Sequence, residues 1–210
     1  MRYPYRRTKR LLAAIAGRSG RGLGLPAAAL LLCLLVVPGP ATPVFAAAPL
    51  LPAFGEGAVE VRIYTDYFCG PCRAEEQEVV AALRELVAKN RIRVIFIDTP
   101  LFPETVLYAG YFLAAVNAKR EFGQAVAARA ALFEASGLQI RGKSELEAFL
   151  AKKGLEMRQF DPAPVFALLS RYIKEDRINS TPTVVILGPQ GKQILGSKEQ
   201  ILKALGDLRK

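Results

Sequence analysis

Cys69-Gly70-Pro71-Cys72 stands where an apolar run, residues 59–68, gives way to a stretch with helical spacing that begins near Arg73. Two thiols at positions i and i+3 can face each other across one helical turn and form a disulfide with little backbone movement. A helix N-terminus offers unpaired N–H groups and the positive end of the helix dipole, and both favour a thiolate. The spacing therefore indicates a redox-active thiol pair, with its first sulfur at the start of a helix.

The residues around this pair predict a strand, a helix and a second strand. Residues 59–64 alternate between apolar and polar side chains, which is typical of a strand with one buried face. Residues 73–90 carry apolar side chains at helical spacing. Residues 92–97 form a more continuously apolar strand, which predicts a central position in the sheet. A strand, helix and strand over about 40 residues indicate a parallel crossover.

The pattern changes after the second strand. Residues 104–178 contain no convincing strand and are rich in Ala, Leu, Glu and Lys, which predicts an inserted helical subdomain. Strand character returns at residues 183–187 and continues through a hairpin to residue 195, and a last helix begins at Lys198. The predicted order is β-α-β, inserted helices, β-β-α, with no internal repeat.

The positive charge of the chain is concentrated at its start. The formal net charge of the 210 residues is +10, but residues 1–46 hold seven basic side chains and no acidic one. The rest of the chain then has 22 basic and 19 acidic residues, a net charge of +3. The basicity therefore belongs to a targeting segment, and nucleic acid is excluded as a partner.

Residues 1–46 have the pattern of a secretory signal peptide. Basic residues precede an apolar stretch of 13 residues, 25–37, and small residues end the segment at Ala46. Because a bilayer core of about 30 Å needs about 20 apolar residues, cleavage is favoured over an uncleaved anchor. We expect a periplasmic or extracytoplasmic protein, with a membrane-anchored form facing the periplasm as the alternative. Residues 47–57 are expected to form a linker, and residues 58–208 a single domain.

The composition excludes several classes of site. The third cysteine, Cys33, lies in the apolar segment and is expected to act as a small hydrophobic residue. Two remaining cysteines cannot form the multi-bridge framework of a small secreted domain. The chain has no histidine, which excludes Cys/His zinc sites and proteases with a histidine base, so no metal is expected.

The element order and three local matches resemble the thioredoxin fold, and specifically the DsbA-like thiol–disulfide oxidoreductases. The first match is residues 64–73, in which Tyr-Thr-Asp-Tyr-Phe leads from a strand end into the CxxC motif. The second is Ser180-Thr181-Pro182-Thr183, which precedes a strand as the cis-proline loop of the family does. The third is residues 93–101, similar to the strand and Pro-Leu exit that precede the insertion. The resemblance implies an α/β, thioredoxin-like fold with a helical insertion at about residues 104–178.

The resemblance also implies roles for individual residues. Cys69 would be the attacking, partly exposed thiol and Cys72 the buried resolving thiol. Thr181 and Pro182 would bind substrate, with Pro182 in the cis form. The Cys69–Cys72 disulfide would be the redox group, with no other cofactor. The active-site loop between the cysteines would consist of Gly70 and Pro71.

The chain departs from the family pattern at three places. Phe68 stands where thioredoxins have tryptophan, and Ile63 stands where many members bury an acid six residues before the first cysteine. The proton relay for the second thiol is thus missing unless Asp66 or water replaces it. The Gly-Pro dipeptide lacks the histidine of strongly oxidising members, so we expect a more reducing pair than that of DsbA. Oxidase, reductase and isomerase activity all remain open.

The expected partners are proteins that contain thiols or disulfides, together with a membrane redox partner. A monomer is expected because no dimerisation domain precedes the thioredoxin-like part. The alternative function is a non-catalytic thioredoxin-fold module that binds partners or acts as a chaperone. A structural disulfide in a non-redox exported protein is the third interpretation.

Overall fold

Four strands and six helices make up the part of the chain that the computed structural model describes, residues 51–159 and 161–209. The predicted signal peptide lies outside the described residues. No helix among those described combines the length and apolar character needed to cross a bilayer. The elements are β1 (Val59–Thr65), α1 (Gly70–Ala88), β2 (Ile92–Asp98), α2 (Thr105–Ala118), α3 (Phe122–Gly137), α4 (Lys143–Lys152), α5 (Ala163–Glu175), β3 (Thr183–Gly188), β4 (Gly191–Leu195) and α6 (Lys198–Asp207).

The sheet has the strand order β2-β1-β3-β4. β1 pairs with β2 in parallel, and β3 pairs antiparallel with both β1 and β4. The predicted strand–helix–strand unit, the late hairpin and the α/β class are therefore confirmed. Because β1 and β2 run in parallel, their carboxyl ends lie at the same edge of the sheet, where α1 and α2 begin. The loop that leads from β1 into the CxxC motif lies at this edge.

The prediction that β2 is central is wrong, because β2 forms one edge of the sheet. Its continuous apolar character has another cause. The outer side of β2 is covered by Phe54, whose backbone exchanges two 2.8 Å hydrogen bonds with Val94. Both faces of β2 are covered as well, since α1 packs against it on one side and α5 on the other. A strand buried in all these directions has the same composition as a central strand.

Residues 51–57, expected to be a linker, pack against the domain. Leu51 and Phe54 are buried, and the Phe54 ring lies 6.0 Å from the ring of Phe96 on β2. The reason is that these apolar side chains have a strand edge to cover. The segment therefore completes the sheet edge rather than separating two units.

The two faces of β1 contact different helices. On one face, Arg62 and Tyr64 bond the buried carboxylate of Asp176, at the C-terminal end of α5. On the other face, Thr65 accepts a hydrogen bond of 3.1 Å from Arg129 of α3. The alternation of a strand separates these polar groups. The helices α3 and α5, both in the insertion, are thereby fixed to opposite faces of the sheet.

Candidate active site

Cys69 is the N-cap residue of α1. Its backbone is extended, with φ −73° and ψ 113°, and its sulfur accepts a hydrogen bond of 3.3 Å from the N–H of Cys72. The helix begins at Gly70, earlier than the predicted start near Arg73, because Pro71 fits the first turn, where no amide hydrogen is needed. One helical turn then brings Cys72 Sγ to 2.6 Å from Cys69 Sγ. A disulfide bond of about 2.05 Å needs only a small approach from there.

The surroundings of the two sulfurs give them opposite acidities. A hydrogen bond from the Cys72 thiol, supported by contacts with Thr181 and the Cys72 N–H, lowers the pKa of Cys69 to about 6, although burial and the charge of Asp66 oppose this. The same thiol–thiol hydrogen bond, together with burial, raises the pKa of Cys72 far above its usual range. At pH 7 a thiol with this lowered pKa is about 90% ionised. Cys69 is therefore the more acidic of the two thiols, and the proton stays on Cys72.

Cys69 is more shielded than expected, whereas Cys72 is buried as the resemblance implies. Cys69 exposes 8% of its surface and Cys72 2%, so the expectation of a partly exposed Cys69 needs correction. The cause is the loop before β3, where the carbonyl oxygen of Thr181 lies 3.4 Å from Cys69 Sγ. The Thr181–Pro182 peptide bond is cis, as predicted. The structure thus brings all four of these residues together, and only the Gly70-Pro71 edge of the motif lies open to solvent.

Asp66 connects the CxxC loop to the loop between β2 and α2. One carboxylate oxygen accepts the N–H of Phe68 at 2.8 Å. The other accepts the N–H groups of Leu101 at 2.8 Å and Phe102 at 3.1 Å, and the hydroxyl of Thr105 at 2.7 Å. With four donors bound in this way, the carboxylate is engaged away from the sulfurs. The structure therefore gives no support to Asp66 as the replacement proton relay, and assigns it to positioning the loop.

An apolar surface borders the redox pair. The ring of Phe68 packs 4.9 Å from Tyr108 and 6.3 Å from Phe102, and the guanidinium of Arg141 lies 5.2 Å from its centre. Phe102 is 42% exposed, and its neighbour Leu101 is 50% exposed. Large apolar groups left in solvent beside a reactive sulfur are typical of a surface that binds another chain. The sequence reasoning took this loop only as the Pro-Leu exit of a strand and missed its exposed phenylalanine.

The comparisons with known proteins agree with this geometry. The sequence model of the family described as Thioredoxin matches residues 55–205. The chain belongs to the thioredoxin family. A search of the curated proteins finds no match to its sequence.

Solved structures resemble this thioredoxin-family protein in fold. A putative protein-disulfide isomerase from Pseudomonas syringae has a TM-score of 0.61 and 14% identity, covering 75% of this chain and 97% of its own. The α-DsbA1 protein of Wolbachia pipientis has a TM-score of 0.59 and 14% identity, covering 79% and 92%. A periplasmic thioredoxin-like protein from Salmonella enterica serovar Typhimurium has a TM-score of 0.56 and 18% identity, covering 78% and 93%. The thioredoxin-family fold of this chain is therefore DsbA-like.

Proposed function

We propose that the protein is an exported thiol–disulfide oxidoreductase that acts on protein disulfides through Cys69 and Cys72. The observation that carries this proposal is the Cys69 sulfur, which caps α1, has a lowered pKa and lies 2.6 Å from a second thiol. An acidic thiol at a helix start with a resolving partner is the arrangement that thiol–disulfide exchange requires. The fold shared with DsbA-like proteins supports the same assignment.

In the reducing direction, the Cys69 thiolate attacks one sulfur of a substrate disulfide. A bond forms between Cys69 Sγ and that sulfur, and the other substrate sulfur leaves as a thiolate. Cys72 then loses its proton and attacks Cys69 Sγ, which releases the second substrate thiolate and leaves the Cys69–Cys72 disulfide. Two electrons pass from the cysteine pair to the substrate. The oxidising direction is the reverse of these steps.

The direction that operates in the cell depends on how strongly the thiolate is stabilised. A lowered pKa of the attacking cysteine favours the reduced pair. The pKa values of such cysteines range from about 3.5 in DsbA to about 7 in thioredoxin. The pKa of about 6 for Cys69 lies closer to the thioredoxin end. Together with the absence of histidine from the chain, this supports a pair that is less oxidising than that of DsbA. Reductase or isomerase activity is consequently as reasonable as oxidase activity.

Substrates are proposed to be proteins rather than small thiols. The exposed rings and aliphatic side chains next to Phe68 offer contact area that a small thiol cannot use. Thr181 and Pro182 line the other side of Cys69, where an extended substrate segment can lie along the loop. Export is supported by the pattern of residues 1–46 and by the periplasmic location in the name of the Salmonella protein. A membrane partner would restore the redox state of the pair.

An activity assay with three serine variants tests this function. Insulin reduction and equilibration with glutathione should be lost in Cys69→Ser, and Cys72→Ser should accumulate mixed disulfides with substrate. Cys33→Ser in the full chain is the matched control, because it removes the cysteine of the predicted signal peptide and should leave both activities unchanged. A wild-type protein without exchange activity, but with retained binding of unfolded proteins, would instead favour the non-catalytic binding module.

A further inference from the structure

The outer edge of β4 is open. β4 ends the strand order β2-β1-β3-β4, and none of the described residues pairs with its outer side. All but the last of its five residues are exposed. The other edge of the sheet differs, because Phe54 pairs with β2 there. An uncovered strand edge presents N–H and C=O groups that can pair with another chain.

The hairpin turn decides which backbone groups of β4 face outward. Gly188 and Gly191 are register partners on either side of a two-residue turn. The turn joins the C=O of its first residue to the N–H of its fourth, so these two glycines form a hydrogen-bonded pair. Hydrogen-bonded and non-hydrogen-bonded pairs alternate along an antiparallel ladder. The N–H and C=O groups of Lys192 and Ile194 therefore point away from β3, toward the open edge.

The usual protection of a strand edge is weak in β4. Lysine and proline commonly guard such edges. β4 has no proline, and the ammonium of Lys192 is bonded to Asp176 at 2.6 Å, which holds its charge over the α5 face of the sheet. Ile194, on the same face, is 55% exposed. The edge thus offers outward backbone groups beside an exposed aliphatic side chain.

A groove lies beside this edge on the opposite face of the sheet, between β4 and α6. Its volume is about 560 Å³, within the range of sites that take a ligand. Ile186, Leu195 and Ala204 give it apolar walls, and Gln193 and Gln200 add amides. Side chains alternate between the two faces of a strand. Every second side chain of a segment paired with β4 would therefore point toward this groove.

Charge and size select the occupant of this edge. The two charged residues that line the groove, Lys203 and Asp207, pair with each other at 3.3 Å, so the lining favours uncharged side chains. A second copy of the chain could offer only its own five-residue strand, about 17 Å long. A stable interface uses roughly 20–30 residues a side. An extended apolar segment of an unfolded protein matches both the edge and the groove.

The edge also leads toward the redox pair. Leu195, at the end of β4, is the register partner of Val184, which follows Pro182 by two residues. The carbonyl oxygen of Thr181 lies 3.4 Å from Cys69 Sγ. A segment added outside β4 is two strand spacings from β3, about 10 Å, which about three extended residues span. One polypeptide can therefore occupy the edge and still reach Cys69.

We propose that the β4 edge and the adjoining groove form a second binding site, which takes an extended, uncharged, apolar segment of a substrate protein by strand addition. The inference rests on the proposed function and names the part of the substrate that is held while Cys69 acts elsewhere in the same chain. Backbone hydrogen bonds to Lys192 and Ile194 supply affinity, and the groove supplies the preference for apolar side chains. Holding the substrate in this way raises the effective concentration of its disulfide at Cys69.

Amide hydrogen exchange in the full chain tests the proposal. The probe is the insulin B chain with both cysteines carbamidomethylated, which can bind but cannot exchange thiols. At a probe concentration ten times its dissociation constant, exchange at Lys192 and Ile194 should slow about tenfold. Exchange at Gln193, which is already bonded to β3, should change little. Unchanged exchange at Lys192 and Ile194 at up to about 1 mM probe would overturn the proposal.

Two substitutions at one position separate the backbone from the side chain. Ile194→Pro removes an outward N–H and keeps the bonds to β3, and should weaken probe binding about five- to tenfold. Ile194→Thr, the matched control, keeps the N–H and a β-branched side chain and should weaken it less than about threefold. Ala204→Arg fills the groove without changing β4 and should weaken binding even if Ile194→Pro does not fold. Equal losses in the two Ile194 variants would refute strand addition.

Two controls identify the source of a failure. Slowed exchange at Lys192 and Ile194 that grows with protein concentration, without probe, would assign the edge to a second copy and overturn the proposal. Glutathione exchange is measured on the wild-type protein in parallel. If that exchange is absent, the proposed function is wrong, whereas glutathione exchange without protection of β4 by the probe refutes only this inference.

Discussion

Replacement of Cys72 by alanine should raise the pKa of Cys69. The hydrogen bond from the Cys72 thiol, at a sulfur–sulfur distance of 2.6 Å, is the largest cause of the lowered pKa of about 6. A free cysteine titrates near 8.5, so the surroundings of Cys69 lower its pKa well below the ordinary value. The helix terminus, the Cys72 N–H and Thr181 remain in the variant, so we expect a rise of one to two units. Cys72→Ser, which keeps a donor at the same position, should show a smaller rise.

The consequence is a slower nucleophile at neutral pH. With a pKa between about 7 and 8, only about 10–50% of Cys69 is ionised at pH 7, compared with about 90% in the wild-type protein. The rate of iodoacetamide alkylation at pH 7 should therefore fall about two- to tenfold. The rate is measured against pH, with the modified site identified by peptide mass spectrometry because the full chain contains a third cysteine, Cys33. A pKa that stays near 6 in Cys72→Ala would show that the helix terminus and Thr181 suffice, and would refute this reasoning.

Three further changes test other parts of the structure. Arg129→Met leaves the Glu76 carboxylate without its buried partner and should lower the free energy of unfolding in urea by about 3 kcal/mol; Lys203→Met, which breaks an exposed pair, should change it by less than about 0.5 kcal/mol. Asp176→Asn should destabilise the fold at pH 7, because hydrogen bonds lower the pKa of Asp176 despite its burial. A lowered pKa stabilises the fold at pH values above the pKa of the unfolded chain, about 3.9. The difference in melting temperature between the wild-type protein and Asp176→Asn should therefore narrow below about pH 4. A difference that stays constant with pH would contradict this. Phe102→Ser should raise the KM for insulin about fivefold, since about 1 kcal/mol of apolar contact is lost, and leave glutathione exchange unchanged.

Local patterns predict most of the fold, because each element carries its own period and its own end signals. The strands, the hairpin and the helical run between β2 and β3 follow from spacing alone. The position of β2 in the sheet does not follow from spacing, since an apolar run indicates only that a strand is buried. Phe54 belongs to the segment that precedes β1, and it covers the outer side of β2. No local pattern in either segment indicates that the two pair. Edge and centre can be told apart only after the chain is folded.

The thiol pair could be predicted for the same reason, since its i, i+3 spacing corresponds to about one helical turn. The groups that hold the loop could not. Asp66 bonds Leu101 and Thr105, which follow it by 35 and 39 residues. A lone arginine in the alanine-rich α3 was the available signal for the buried Arg129–Glu76 pair, because Arg129 interrupts a largely apolar helix face. That signal does not say which carboxylates meet it.

Ile63 shows how a sequence comparison along one strand can miss a buried acid on its neighbour. Counting back six residues from Cys69 finds an apolar side chain and indicates that no acid accompanies the pair. A charge acts through space, however, and the partner of Ile63 in the neighbouring strand is Phe96, two residues before Asp98. The acid therefore lies on the adjacent strand and one register pair nearer to the carboxyl ends, where α1 begins. The sheet register therefore places a buried carboxylate beside the end of β1, although the position six residues before Cys69 is apolar.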